Sequence, residues 1–183
     1  YMLARGQHDV QTAQLGVQGA VVQMISHGFV SGALFTCIGV MYDRMHTREI
    51  AAYGGLAKVM PWFAAFWVLF AMANCGLPGT SGFVGEFMVI LSSFTANPWI
   101  ALFAAYSLII GAGYTLYLIK RIVWGTAPSK EAAAMPKLTA REGWVLTAFA
   151  VAVLAMGVYP WPLMHLMDSS VAQLVTHLMT SKV

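Results

Sequence analysis

The chain has 183 residues, 59% of them hydrophobic and only 9% charged, with a formal net charge of +3. Soluble domains carry about 25% charged residues, so this composition excludes an ordinary soluble enzyme or binding module. It specifies an integral membrane protein, and the absence of any basic patch argues against nucleic acid as a partner.

The sequence opens at Tyr1 on a short polar stretch with no signal-peptide pattern, so it is expected to be a piece of a longer chain. A first helix is predicted from Gln14 to Tyr42, apolar apart from Gln18, Gln23, Ser26, His27, Ser31 and Thr36. The charged run Asp43-Arg44-Met45-His46-Thr47-Arg48-Glu49 ends it. A second helix begins at Pro61, a residue suited to the first helical turn, and runs to about Cys75. The stretch from Gly76 to Gly82 then breaks it. Pro78 lacks an N–H, and Gly76, Gly79, Gly82 and Gly85 add backbone freedom. Helical pattern resumes at Phe83 and continues to Phe94. A span needs about 20 residues, so the two halves together make one discontinuous span.

A third membrane helix starts after Asn97-Pro98 and runs to about Trp124. Gly125 to Leu138 is a polar loop containing Pro128 and Pro136. Thr139-Ala140-Arg141-Glu142 is a capping-box pattern that opens the fourth. That helix is stopped after Tyr159 by Pro160 and Pro162. The tail, residues 163–183, is amphipathic: Leu163, Met167, Val171, Leu174, Val175 and Leu178 are assigned to one face. Such a helix suits the membrane interface, a partner, or this protein's own bundle. The expected architecture is all-α: four transmembrane helices, the second discontinuous, plus this amphipathic helix. Cys37 and Cys75 lie in apolar runs and are read as small buried hydrophobes.

Charge supports that count. Four spans put Arg44, Arg48, Lys58, Lys120, Arg121, Lys130, Lys137 and Arg141 on one side, leaving only Arg5 and Lys182 on the other. The positive-inside rule makes the first side cytoplasmic, with both ends of the chain periplasmic. Trp62, Trp99, Trp124, Trp144 and Trp161 fall near predicted helix ends, as an aromatic belt requires, whereas Trp67 does not.

Glu86 is the only carboxylate within a hydrophobic segment, and it follows directly on the Gly/Pro break. A charge at membrane depth is costly and marks a functional site by default. Freed backbone groups beside it must line a polar cavity or find protein partners. His27 and Lys120 are the other ionisable groups placed within the spans. Gln23, His27 and Ser31 are spaced i, i+4, i+8 and form one polar stripe. Tyr117 precedes Lys120 by one turn on the same face. A carboxylate and an imidazole are suited to proton exchange, so the residues point to a proton or cation path. Bland roles stand beside this: an interhelical hydrogen bond for His27, snorkelling for Lys120, a structural ion pair for Glu86. No catalytic or metal-ligand constellation is present.

Several motifs, in order and spacing, are similar to one family. They are Gln23-Met24-Ile25-Ser26-His27-Gly28, Ala33-Leu34-Phe35, Tyr42-Asp43-Arg44-Met45-His46-Thr47-Arg48, Gly54-Gly55-Leu56, and Gly76-Leu77-Pro78-Gly79-Thr80 with Phe83-Val84-Gly85-Glu86-Phe87. Together they resemble the antiporter-like subunits of respiratory complex I, over residues 12 to 95. The resemblance implies a fourteen-helix, inverted-repeat subunit whose last four helices lie here, with residues 1–162 belonging to the antiporter-like domain.

It further implies proton translocation coupled to NADH:quinone electron transfer. Glu86 matches the family's glutamate on the broken helix, and His27 matches a histidine on the central hydrophilic axis. Lys120 falls where a basic residue ends the following helix. The related chains L and N, and many sodium/proton antiporter subunits, carry a lysine in place of that glutamate. Glutamate therefore indicates the M-type branch, with L and N as neighbours. The family places NADH, FMN, iron–sulfur clusters and quinone in other subunits, leaving none in this chain. Its location is the bacterial or mitochondrial inner membrane. Alternatives are a multisubunit sodium/proton antiporter, a membrane-bound hydrogenase subunit, or a structural membrane scaffold.

Overall fold

The computed structural model describes residues 7–127 and 129–180; Arg5, Pro128 and Lys182, used in the charge and loop expectations, lie outside them. Among the described residues every regular element is helical. The helices are α1 (Gln7–Met45), α2 (Leu56–Val59), α3 (Pro61–Asn74), α4 (Ser81–Ala96), α5 (Pro98–Ile122), α6 (Lys130–Ala133), α7 (Ala140–Val158) and α8 (Trp161–Thr180). A short 3-10 turn at Ile50–Ala52 precedes α2.

The helix starts follow local chemistry. Pro61 occupies the first turn of α3. Asn97 caps α5 by accepting from the Trp99 amide at 2.9 Å. Thr139 and Glu142 form the predicted capping box of α7, with Glu142 Oε2 accepting from the Thr139 amide at 2.8 Å. Two ends differ from expectation. α1 begins at Gln7 rather than Gln14, because Val10, Ala13 and Val17 give it an apolar face that packs against Val171 and Val175 of α8. α4 begins at Ser81 rather than Phe83, because Thr80 already has the extended backbone of an N-cap.

The break between α3 and α4 consists of two defined turns. Leu77 N–H donates to Met72 O at 3.1 Å and Gly76 N–H to Ala73 O at 3.2 Å. With Gly76 at φ 73°, this is a Schellman termination. Leu77-Pro78-Gly79-Thr80 follows, closed by Thr80 N–H donating to Leu77 O at 3.1 Å. Proline second and a glycine at φ 89° third are the requirements of a type II turn.

α3 lies at the centre of the core. Phe63, Trp67 and Phe70 are buried against Val30, Ala33 and Cys37 of α1, and against Ile119 of α5 and Leu146 and Val153 of α7. Trp67, only 3% exposed, meets Phe63 edge-on at 5.8 Å, which explains why it departs from the belt. Trp62, Trp99, Trp124, Trp144 and Trp161 are all exposed. Cys37 is buried and Cys75 half-buried, both as free thiols. The tail docks on α1: Val171 and Val175 pack with Ala13, leaving Leu174 and Leu178 exposed. Gln18 Nε2 donates to Asp168 Oδ1 at 2.6 Å across the same contact.

The two lysine- and arginine-bearing loops meet at one end of the bundle. Gly55 N–H donates to Trp124 O at 3.2 Å and Ala57 N–H to Val123 O at 3.0 Å. Arg44, whose side chain is 7% exposed, forms a bidentate pair with Glu142, both bonds 2.9 Å. Its Nε and Nη2 also donate to Pro136 O at 2.9 Å and Lys137 O at 3.1 Å. The planar guanidinium fork suits this divergent set of acceptors.

Three helices are long and apolar enough to cross a membrane: residues Val10–Met45 of α1, then α5 and α7. α3 and α4 are apolar but have only 14 and 16 residues. At 1.5 Å per residue each falls short of the roughly 30 Å hydrocarbon core.

Candidate functional site

α1 and α4 pack antiparallel and unusually close. A Cβ on Gly85 would stand 2.7 Å from the N and Cβ of Gln23, and one on Gly19 would stand 2.7 Å from Met88 Cβ. Only glycine permits this approach at both levels. It brings the Gln23 side chain onto the broken helix, where Nε2 donates to Glu86 Oε1 at 3.1 Å. One turn along, Ser26 Oγ and Ser81 Oγ share a buried hydrogen bond of 2.7 Å.

Glu86 is half-buried, and its second oxygen faces the break. A side chain on Gly76 would collide with Glu86 Oε2. Among the described residues, Glu86 Oε2 and Gln23 Oε1 are buried without a hydrogen-bond partner. Buried polar atoms are rarely left so; Trp67 Nε1 and Thr115 Oγ1 share this state, but the Glu86 and Gln23 oxygens are the two that belong to one hydrogen-bonded pair. An open cleft of about 180 Å³ adjoins it, lined by Gln23, Glu86, Val89, Ile90, Ser107 and Leu108. The carboxylate therefore communicates with a space between α1, α4 and α5.

The other predicted site residues are placed differently. His27 lies one turn beyond Gln23, exposed on α1, and its ring makes no hydrogen bond or ion pair among the described residues. Ser31 Oγ donates to the backbone carbonyl of His27, not into the ring. Lys120 is exposed near the end of α5, about 20 Å along the helix axis from Ser107. Tyr117 faces Arg121 instead, whose guanidinium carbon is 5.8 Å from the ring centroid. Gly76 and Gly79 hold the positive φ angles of the break, with Pro78 between them. Gly82 lies against the Ala73 carbonyl, where a side chain would not fit.

The structure thus brings together Glu86, Gln23 and the break, and sets His27 and Lys120 apart from them. The Ser26–Ser81 bond and the Arg44–Glu142 pair were not anticipated from sequence. Ser26 was legible in part, since it falls three residues from Gln23 on an adjoining face.

Residues 3–111 match the family described as NADH:quinone oxidoreductase/Mrp antiporter, TM. The chain is 51% identical over 162 residues to NADH-quinone oxidoreductase subunit M of Rhodobacter capsulatus, covering 88% of this chain and 32% of that protein. Among solved structures it resembles respiratory complex I from Thermus thermophilus, with TM-score 0.79 and 33% identity over 90% of this chain and 35% of that one. The Mrp complex from Dietzia shares the fold at TM-score 0.76 and 22% identity, over 88% of this chain and 38% of that one. The chain spans about a third of the length of the relatives it matches. On the family match over more than half its residues, with the glutamate-bearing broken helix inside the matched span, the chain belongs to the NADH:quinone oxidoreductase/Mrp antiporter transmembrane family.

Proposed function

We propose that this chain is the C-terminal part of an M-type subunit of complex I, and that it moves protons across the membrane during NADH:quinone electron transfer. The carrying observation is the Glu86 carboxylate on the broken helix, bonded to Gln23 and open to a cleft. Glu86 exchanges protons with that space. Gln23 holds the carboxyl in place, because its amide donates to the ionised acid and, flipped, accepts from the protonated one. His27, with its ring free on the outer face of α1, relays protons from helices of the remaining two-thirds of the protein. Lys120 lies at the far end of the path, toward the lysine-bearing surface.

α3 and α4 act as one discontinuous span, giving four spans in this part of the protein. Both ends of the chain then lie on the periplasmic or intermembrane side, and the lysine-bearing loops on the cytoplasmic or matrix side. The neighbours are the antiporter-like chains L and N, and NADH, flavin, iron–sulfur clusters and quinone belong to other subunits. The test is Glu86→Gln in the full-length protein within its complex. Assembly is expected to persist while NADH-driven proton pumping falls. A normal proton-to-electron ratio in that variant would remove Glu86 from the path.

A further inference from the structure

At the lysine-bearing end of the bundle, a cavity of about 360 Å³ is lined by Lys58, Pro61, Trp62, Phe63, Lys137 and Leu138, among others. That volume is in the range of small-ligand sites. Its chemistry has two faces. Lys58 and Lys137 are exposed and make no ion pair among the described residues. No carboxylate lines the cavity. The N-terminus of α3 opens into it without a side-chain cap; Pro61 has no N–H and Ala64 N–H is bonded to Met60 O, so the Trp62 amide is a first-turn donor left at the cavity. The opposite face is apolar: Phe63 is fully buried, Leu138 packs on the core, and Trp62 is 77% exposed.

Both lysines project from pinned backbone. The α2 segment carrying Lys58 is held by the bonds from Gly55 and Ala57 to the end of α5. The carbonyl of Lys137 is held by Arg44. Both side chains therefore start from backbone held in place at the rim of the cavity. An anion with an apolar extension, at the level where Trp62 marks the membrane interface, fits all of these features.

We infer that this cavity binds the phosphodiester headgroup of an anionic glycerophospholipid from the leaflet on the lysine-bearing side. Lys58, Lys137 and the Trp62 amide take the phosphate, and the Trp62 ring and Leu138 take the glycerol and the start of the acyl chains. The site is separate from Glu86 and does not depend on the proton-transfer reading.

The experiment uses the full-length protein in its delipidated complex, titrated with photoactivatable phosphatidylglycerol and mapped by peptide mass spectrometry. Label is expected on the peptides holding residues 58–63 and 137–138. In the Lys58→Gln/Lys137→Gln double variant, which removes two direct lysine–phosphate pairs, the half-saturating lipid concentration should rise roughly 30-fold. Lys130→Gln/Arg141→Gln, a matched charge loss at the same end, should leave it unchanged. Several results would overturn the site: label elsewhere, equal label from photoactivatable phosphatidylcholine, or an equal shift in both double variants. Displacement of the lipid by inorganic phosphate at equal concentration would reassign the cavity to a free anion. If the first double variant fails to assemble, the wild-type map and the phosphatidylcholine comparison still decide.

Discussion

The contact between Gly85 and Gln23 can be tested with a single methyl group. In Gly85→Ala the new Cβ would begin 2.7 Å from Gln23 N and Cβ and 2.8 Å from its Cα. Carbon contacts settle near 3.5–4.0 Å, and two of these three atoms are backbone, so rotamer change brings no relief. α1 and α4 must separate by about 1 Å. The 3.1 Å bond from Gln23 to Glu86 would stretch to about 4 Å, outside hydrogen-bond range. Overpacking of this kind costs about 1–3 kcal/mol, and a lost bond to a charged group costs about 1.5–3 kcal/mol. If the second term enters the barrier to proton exchange, pumping falls about 10- to 150-fold. The assay is NADH-driven acidification of inverted membrane vesicles, normalised to assembled complex. Gly143→Ala is the control, since its nearest neighbour would be Leu138 Cδ2 at 3.8 Å, and it should pump normally. An assembled Gly85→Ala complex that pumps at the wild-type rate would refute the role given to this contact.

Two further expectations concern stability. Arg44→Gln breaks a bidentate pair whose cation is 7% exposed and should cost about 3–5 kcal/mol, read as a lower Tm or reduced assembly in detergent. Arg44→Lys should recover little, because one ammonium does not reach Glu142 and both loop carbonyls in the same geometry; full recovery would count against the fork. Ser26→Ala leaves Ser81 Oγ buried and unpaired, at about 1–3 kcal/mol. Adding Ser81→Ala should return much of that loss, so additive effects in the double-mutant cycle would show the 2.7 Å bond to be energetically idle.

Much of the fold was legible because helix ends are local events. Pro61, Asn97-Pro98 and the Thr139–Glu142 box set their termini through groups within three residues, and the observed starts of α3, α5 and α7 follow them. The early start of α1 was not legible, because the polarity of its first turns hides a face that only the distant tail reveals. The site divides similarly. Glu86 and its break stood out by charge cost and Gly/Pro content. The stripe at i, i+4, i+8 selected His27 as companion to Gln23, yet α4 took the side shared by Gln23 and Ser26. A helix sequence shows its faces but not which neighbour each face meets. Arg44 and Glu142, 98 residues apart, belong to the same class of information.

The break has a consequence for timing. Pro78 fixes its own φ and restricts Leu77 before it, while the hydrogen bonds at Gly76, Leu77 and Thr80 close both turns. This is an elbow, not a hinge. Swinging α3 against α4 would dismantle a Schellman end and a type II turn in every turnover. The faster-moving groups beside Glu86 are instead its carboxyl torsions and the Gln23 amide, because side-chain torsions turn over sooner than packed helices swing. The proposed proton exchange at Glu86 can then proceed on side-chain motion alone, with the backbone of α3 and α4 held in place.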